Sequence, residues 1–366
     1  MANENHAERD AAMLKYLKEK ATAVDDQIYA LLENMLEQDE LDKLLGNRSD
    51  YDYDIEAIRK GLVDPIRYML RLGGKRWRPI LMLETIAALG GNPDNYIEFA
   101  VIPELVHNGT LVHDDIEDGS LTRRGVDAIH VRFGDDVAVN LGDLMYYLPI
   151  LTVHGSKKLD DNTKLRLFYI YQREMCRVGL GQGLDITWHK HLVDPRNVTE
   201  RQYLQMVYSK SGVLARMSMM LGGVLGGADE NTVELLGRFG ATLGVAFQLH
   251  DDILNITPSS VADSKGGVGD DISEGKITLL VVYTIEHSSP KDRKRLMEIL
   301  KMHTKDQYLI REAISIIERY GAIDYCKRLE GELVENAWGN LSKVLLDSAG
   351  KARLRDISNF LISRSI

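Results

Sequence analysis

Several residue types and patterns are scarce in this chain, and each scarcity excludes something. Only two of its 366 residues are cysteine, Cys176 and Cys326. Two cysteines make no disulfide framework, and their separation matches no zinc-binding spacing. There are 8 prolines and 6 phenylalanines, and no alternating apolar pattern is flanked by Asn-Gly or Asp-Gly turns, so a hairpin-built β fold is not expected. No run reaches about 18 apolar residues, so no membrane span is expected. Basic residues are outnumbered, 45 Lys+Arg against 55 Asp+Glu for a net charge of -10, which argues against a nucleic-acid surface. The opening MANENHAERDAAMLKYLKEK lacks the basic start and apolar run of a secretory signal, so the cytoplasm is the expected compartment.

Helix-forming material is abundant. Apolar residues make up 44% and charged residues 27%, an ordinary balance for a soluble globule, and the many Leu, Met, Glu and Lys favour helix. A 3.6-residue apolar period predicts helix over 7–46, carried by Leu14, Leu17, Ala21, Val24, Ile28, Leu31, Met35 and Leu36. Further helices are expected near 54–72, 79–90, 95–118, 136–153, 162–190, 198–225, 229–256, 276–287, 290–301, 305–319, 321–347 and 350–362. Residues 1–50 precede every chemical motif and read as a helical extension, for packing or dimer support, on a catalytic domain of residues 51–366. Two connections are long: 119–135, holding Arg123-Arg124-Gly125, and 257–275, holding Lys265-Gly266-Gly267-Val268-Gly269. Long loops in compact domains are often functional lids.

Two acidic clusters dominate the chemistry: Asp114-Asp115-Ile-Glu-Asp118 and Asp251-Asp252-Ile-Leu-Asn255. On a helix, positions i and i+4 lie about 40° apart around the axis, one turn above each other. Bare carboxylates stacked this way repel, and oxygen-only ligands suit Mg²⁺, which keeps several waters and shares its shell with phosphates. One acidic triplet alone is usually a solvated helix end. Here both interrupt apolar helical runs, Val101-Ile102-Pro103-Glu104-Leu105-Val106 and Leu243-Gly244-Val245-Ala246-Phe247, where unpaired carboxylates are costly.

Basic residues answer the acids. Gly73-Gly74-Lys75-Arg76-Trp77-Arg78-Pro79 joins two glycines, which let backbone approach a ligand, to three cations and a helix-starting proline. Such a turn can clasp a diphosphate, with Arg as a planar fork and Lys as a point charge. Standing alone it could equally be a basic helix cap. Lys210-Ser211-Gly212 lies inside a helical pattern, where Gly costs roughly 1 kcal/mol relative to Ala; a kink that turns the amine and hydroxyl inward would justify it. Gln248 lies one turn before Asp252, and Lys265 and Lys276 bracket a glycine-rich segment.

With these residues assembled, the chain resembles the trans-type polyprenyl diphosphate synthases, the farnesyl and geranylgeranyl diphosphate synthase family. The likeness covers about residues 60 to 287, with GGKRWRP, ELVHNGTLVHDDIED, RRG, Gly142-Asp143, KSG, FQLHDD and EGKITL in family order. It implies an all-α, single-domain bundle around a deep central cavity, and a homodimer. It implies three Mg²⁺ per active site, held by Asp114, Asp118, Asp251, Asp252 and Asn255, with Asp115 in support. The allylic diphosphate (dimethylallyl, geranyl or farnesyl) would meet Arg123, Lys210, Ser211, Gln248, Lys265 and Lys276. Isopentenyl diphosphate would meet Lys75, Arg78, His107 and Arg124. The implied catalytic set is Asp114, Asp115, Asp118, Arg123, Lys210, Asp251, Asp252 and Lys276. The implied reaction is ionisation of the allylic diphosphate, attack by the isopentenyl double bond, and proton loss to the released diphosphate.

Two departures from the family pattern stand out. Asn255 replaces the usual third Asp, as in eukaryotic-type geranylgeranyl diphosphate synthases, which Gly181-Gln182-Gly183-Leu184-Asp185-Ile186-Thr187-Trp188 also resembles. Lys265 and Lys276 are 11 residues apart, one more than is common. Product length is read from the first acidic helix. Gly109 and Thr110 are small where farnesyl-type enzymes carry aromatic bulk, so growth should pass fifteen carbons. Val106 is a moderate block, and Tyr146 and Tyr147 offer a floor that favours C20, unless they simply pack between helices. Gly179 offers no block and leaves C25 or longer open. Three other readings remain: a metal-dependent phosphohydrolase using His113-Asp114 and His250-Asp251, a non-catalytic partner subunit of a prenyl synthase, and a terpene cyclase.

Overall fold

The computed structural model describes residues 2–46, 48–257 and 268–363. The chain opens with α1 (Ala2–Asn34), α2 (Gln38–Leu45), α3 (Ile55–Ile58), a π-helical turn (Arg59–Val63), α4 (Asp64–Arg71) and α5 (Trp77–Ala88). A 3-10 stretch (Pro93–Ala100) leads into α6 (Val101–Glu117), the strands β1 (Thr122–Arg123) and β2 (Val126–Asp127), and α7 (Ile129–Phe133). Then come α8 (Asp135–Tyr147), α9 (Leu151–Gly155), α10 (Asp161–His189), α11 (Glu200–Val207), a second π-helical turn (Tyr208–Gly212), α12 (Val213–Leu225) and α13 (Glu230–Ile256). The chain continues through α14 (Asp270–Ser273), α15 (Leu279–His287), α16 (Pro290–Lys301), α17 (Gln307–Arg319), α18 (Ala322–Leu341) and α19 (Ala349–Ser363). The fold is all-α, as expected.

Helix starts follow local chemistry. Thr199 and Gln202 form a reciprocal capping box at the start of α11, and the Ser289 hydroxyl accepts the Asp292 N–H ahead of Pro290 in α16. Contacts group the chain into two compact units. The first is Met1–Arg173, Met217–Gly237 and Val344–Ile357; the second is Glu174–Arg216, Arg238–Lys343 and Ser358–Ile366. In the first, α1 packs on α5 and α6, and its Leu17, Ala21, Val24, Ile28 and Leu31 are buried. In the second, the core gathers Tyr203, Leu249, Ile253, Leu280, Leu296 and Ile317.

Three local expectations need correction. The helix over 7–46 breaks after Asn34 into α1 and α2, and Leu14 and Leu36 are only half-buried. The connection 119–135 is not all loop: β1 and β2 pair antiparallel, Thr122 with Asp127 and Arg123 with Val126, and α7 follows. The hairpin escaped notice because its turn is Arg124-Gly125, not Asn-Gly. Both residues have positive φ, 54° and 80°, as a two-residue hairpin turn requires. The connection 257–275 contains α14.

Candidate active site

In the first unit, α6 carries the first acidic cluster at its C-terminal end. The partly accessible residues His107, Thr110, Leu111, Asp114 and Asp118 recur three and four apart, so they share one stripe. Asp115 points elsewhere and is 2% exposed. Arg123 from β1 grips it, donating from Nε at 2.8 and 2.7 Å and from Nη2 at 2.6 Å. This pair ties the hairpin to the acidic helix. Asp118 closes α6, donating its N–H to Asp114 O at 2.9 Å.

The basic corner of the same unit is built by α4, α5, α6 and the hairpin. Gly73 and Gly74 have φ of 77° and 151°, and a Cβ at Gly74 would lie 2.6 Å from Arg76 Nη1, so only glycine fits there. Lys75 is half-buried and Arg78 buried at the start of α5. Arg124 donates to Gly73 O. Burial, with the charges of Arg78, Arg124, Arg123 and Arg76 around it, holds the His107 imidazole well below its usual range, so it is neutral near pH 7. Arg78, His107 and Arg124 thus share this corner, and Lys75 lies in the glycine turn that leads into it. Arg76 turns inward instead, to Asp25 and Glu104.

In the second unit, α13 presents Gln248, Asp251, Asp252 and Asn255. Asp252 is 4% exposed; Tyr203 donates to its Oδ2 at 2.6 Å and Gln248 to its Oδ1 at 2.8 Å. Ser211 donates to Gln248 Oε1 at 2.9 Å. Burial first, then the nearby charge of Asp271, pushes the Asp252 carboxyl up to about 8. Lys210 sits in the second π-helical turn, its Nζ 2.5 Å from Asp185. The kink expected at Gly212 is this turn, a feature common at functional sites. A Cβ at Gly212 would lie 2.7 Å from Ala241 O, so the glycine also lets α13 approach. Asn255 Oδ1 accepts the Asp271 N–H at 3.2 Å, anchoring α14. Lys276 reaches Glu274 at 2.5 Å and Asp271 at 3.9 Å. Lys265 lies outside the described residues.

The chain-length candidates separate. A Cβ on Gly109 would lie 2.9 Å from Tyr146 Cε1, 3.0 Å from Gly142 O and 3.1 Å from Met145 Cβ. Gly109 is therefore the seat of the Tyr146 ring at the α6–α8 crossing, not an opening beside Asp114. Val106 is fully buried in the core and so lines no accessible surface. Tyr147 is 70% exposed, too open to solvent to be a floor within this chain. Thr110 remains on the accessible stripe of α6. Gly179 is exposed, and a Cβ there would meet nothing within 4 Å.

The two histidines of the phosphohydrolase reading are engaged with neighbouring helices. His113 Nδ1 lies 3.1 Å from the Tyr146 hydroxyl, and His250 Nδ1 lies 3.2 Å from Glu330 Oε1. Among the described residues no three His, Cys, Asp or Glu converge as a metal cage. The donors offered are all hard oxygens, and Asp252 is a buried carboxylate whose ionisation a cation would favour; both fit Mg²⁺. Sequence reasoning missed Tyr203, Asp271, Asp25 and Glu104. Only Asp271 left a trace, as the second acid of Asp270-Asp271 after the glycine-rich loop.

Comparison with known proteins agrees with this chemistry. A family described as Polyprenyl synthetase matches residues 59–317. A short chain isoprenyl diphosphate synthase of Methanothermobacter thermautotrophicus is 34% identical over 297 residues, 81% of this chain and 88% of that protein. A geranylgeranyl diphosphate synthase of Methanosarcina mazei is 33% identical over 81% of this chain and 88% of its own. The crystal structure of geranylgeranyl pyrophosphate synthetase from Pyrococcus horikoshii superposes with a TM-score of 0.80 at 30% identity, covering 97% of this chain and 99% of that one. The chain belongs to the polyprenyl synthetase family. It is accordingly a prenyltransferase.

Proposed function

We propose that this enzyme condenses isopentenyl diphosphate head-to-tail with allylic diphosphates (dimethylallyl, geranyl and farnesyl) to give geranylgeranyl diphosphate, C20. The observation that carries the reading is the basic corner. Arg78 and Arg124 flank a neutral His107, a cationic corner at one end of the stripe of α6 whose other end carries Asp114 and Asp118. Two of the three named relatives and structures are geranylgeranyl diphosphate synthases by name, and the third is a short-chain synthase.

In this reading Lys75, Arg78, His107 and Arg124 bind isopentenyl diphosphate. Asp114, Asp118, Asp251 and Asp252 hold three Mg²⁺ with the allylic diphosphate, and Asp115 fixes Arg123. Bound Mg²⁺ supplies the charge that stabilises the departing diphosphate. Lys210, Ser211, Gln248, Lys265 and Lys276 bind and orient the same group. The isopentenyl double bond attacks the allylic cation, and the released diphosphate takes the proton, so no side-chain base is required. Asn255 has its Oδ1 committed to the Asp271 N–H and would position α14 more than it would hold metal. Thr110, small and accessible one turn before Asp114, leaves growth free past fifteen carbons.

Residues 51–366 form the catalytic part and 1–50 an extension. The enzyme works as a homodimer in the cytoplasm. Leu165 and Tyr169, exposed one helical turn apart on α10, support a second copy covering them, since exposed apolar patches mark interfaces.

A longer product, C25 or more, is the second reading. The loss of Tyr147 as a floor, at 70% exposed, favours it. Chromatography of the products from each primer decides: a C20 main product supports the proposal, and a C25 or longer main product replaces it.

A further inference from the structure

We propose that the N-terminal helix α1 acts, through Asp25, as a strut that positions the isopentenyl diphosphate loop, with Arg76 as the positioning residue between them. The proposal rests on the assignment of Lys75, Arg78, His107 and Arg124 to isopentenyl diphosphate.

Of the three cations in Lys75-Arg76-Trp77-Arg78, Arg76 is the most buried, with Arg78 at 8% exposed and Lys75 half-buried. It is 2% exposed, and its backbone is left-handed, with φ of 47°. A non-glycine residue holds that conformation only where its surroundings over-determine it. Here they do. Arg76 Nε donates to Asp25 Oδ1 at 2.8 Å, and Nη1 donates to Glu104 Oε1 at 2.9 Å. Nη1 also donates to Gly73 O at 3.1 Å, and Nη2 to Leu70 O at 3.1 Å. The guanidinium therefore staples the last turn of α4, the glycine turn and α6 together, with Gly74 lying against it because no Cβ would fit.

Lys75 and Arg78 flank this staple, so their placement depends on it. Glu104 is in turn fixed by Asn108 Nδ2 at 2.9 Å, one helical turn along the helix that carries His107. Among the described residues, Asp25 is the one partner of Arg76 that comes from outside residues 59–317, the part matched by the family. It gives the extension a role in substrate binding. A second contact, Tyr16 Oη to Glu84, ties α1 to the body of α5 without touching the loop, and it serves as a control.

The test compares Asp25→Asn, Asp25→Glu and Tyr16→Phe in the full chain. Steady-state kinetics are measured for both substrates, together with thermal unfolding. Asp25→Asn should raise KM for isopentenyl diphosphate by about tenfold, the scale of one lost hydrogen bond to a charged group. KM for the allylic substrate should stay within about twofold, and Asp25→Glu should recover part of the loss. Tyr16→Phe should lower the unfolding temperature and leave the isopentenyl KM unchanged. An unchanged isopentenyl KM in Asp25→Asn, or the same rise in Tyr16→Phe, overturns the strut. Lys75→Ala in the same assay separates the two claims: if it disturbs only the allylic KM, the substrate assignment fails; if it raises the isopentenyl KM while Asp25→Asn does not, only the strut fails.

Discussion

Replacing Gly109 by Ala asks whether its smallness serves helix packing or chain growth. A methyl group built there lies 2.9 Å from Tyr146 Cε1, 3.0 Å from Gly142 O and 3.1 Å from Met145 Cβ. One neighbour is a ring edge that can swing, but another is backbone, so α6 and α8 must move apart by a few tenths of an ångström. Overpacking of this kind costs about 1–3 kcal/mol. Alanine returns about 1 kcal/mol in helix propensity, leaving a net loss of roughly 0–2 kcal/mol. In a chain of this size that lowers Tm by up to a few degrees. Because Gly109 faces α8 and lies off the accessible stripe of Thr110, Leu111 and Asp114, product length should not change. Differential scanning fluorimetry and product chromatography on the same protein give both numbers. An unchanged Tm with a shortened product would refute this reasoning and restore Gly109 to the wall of the growing chain.

Other predictions follow from the acidic and basic sites. In metal-free protein the Asp252 carboxyl is raised from 3.8 to about 8, so its protonated form favours the fold. The stability it contributes is full below about pH 4 and is lost as pH rises through about 8. Between pH 5 and 8.5, in chelator, wild type should therefore lose more Tm than Asp252→Asn; equal slopes would contradict the burial argument. Asp114→Ala and Asp251→Ala should each lower turnover by orders of magnitude, while Lys75→Ala and Arg78→Ala should mainly raise KM for isopentenyl diphosphate. A kinetic pattern with these roles exchanged would reverse the assignment. Light scattering should report a homodimer, and a species of 41.2 kDa at micromolar concentration would rule it out.

What could be read in the sequence was what depends on local spacing. Asp114 and Asp118, or Gln248 and Asp252, are four apart, so a helix alone brings them to one face. The start of α16 at Ser289-Pro290 needed only capping chemistry, whereas Asp64-Pro65, which has the same look of a helix start, continues the π-helical turn before it with no side-chain cap. What could not be read depends on tertiary contact. Tyr203 and Asp252 are 49 positions apart, and nothing near Tyr203 marks it. Lys75, Arg76 and Arg78 look equivalent as text; the left-handed backbone of Arg76 and acids on two other helices turn it inward. Gly109 looks like an opening until Tyr146 is seen lying on it. Arg124-Gly125 hides a hairpin because arginine is an uncommon residue at positive φ.

The central claim is a metal-dependent condensation by this chain alone. Purified protein is incubated with radiolabelled isopentenyl diphosphate and farnesyl diphosphate, with Mg²⁺ or with excess chelator, and the label extractable into butanol is counted. The account predicts a C20 product with Mg²⁺ and none with chelator. No extractable product with Mg²⁺ and any of the allylic primers would contradict it.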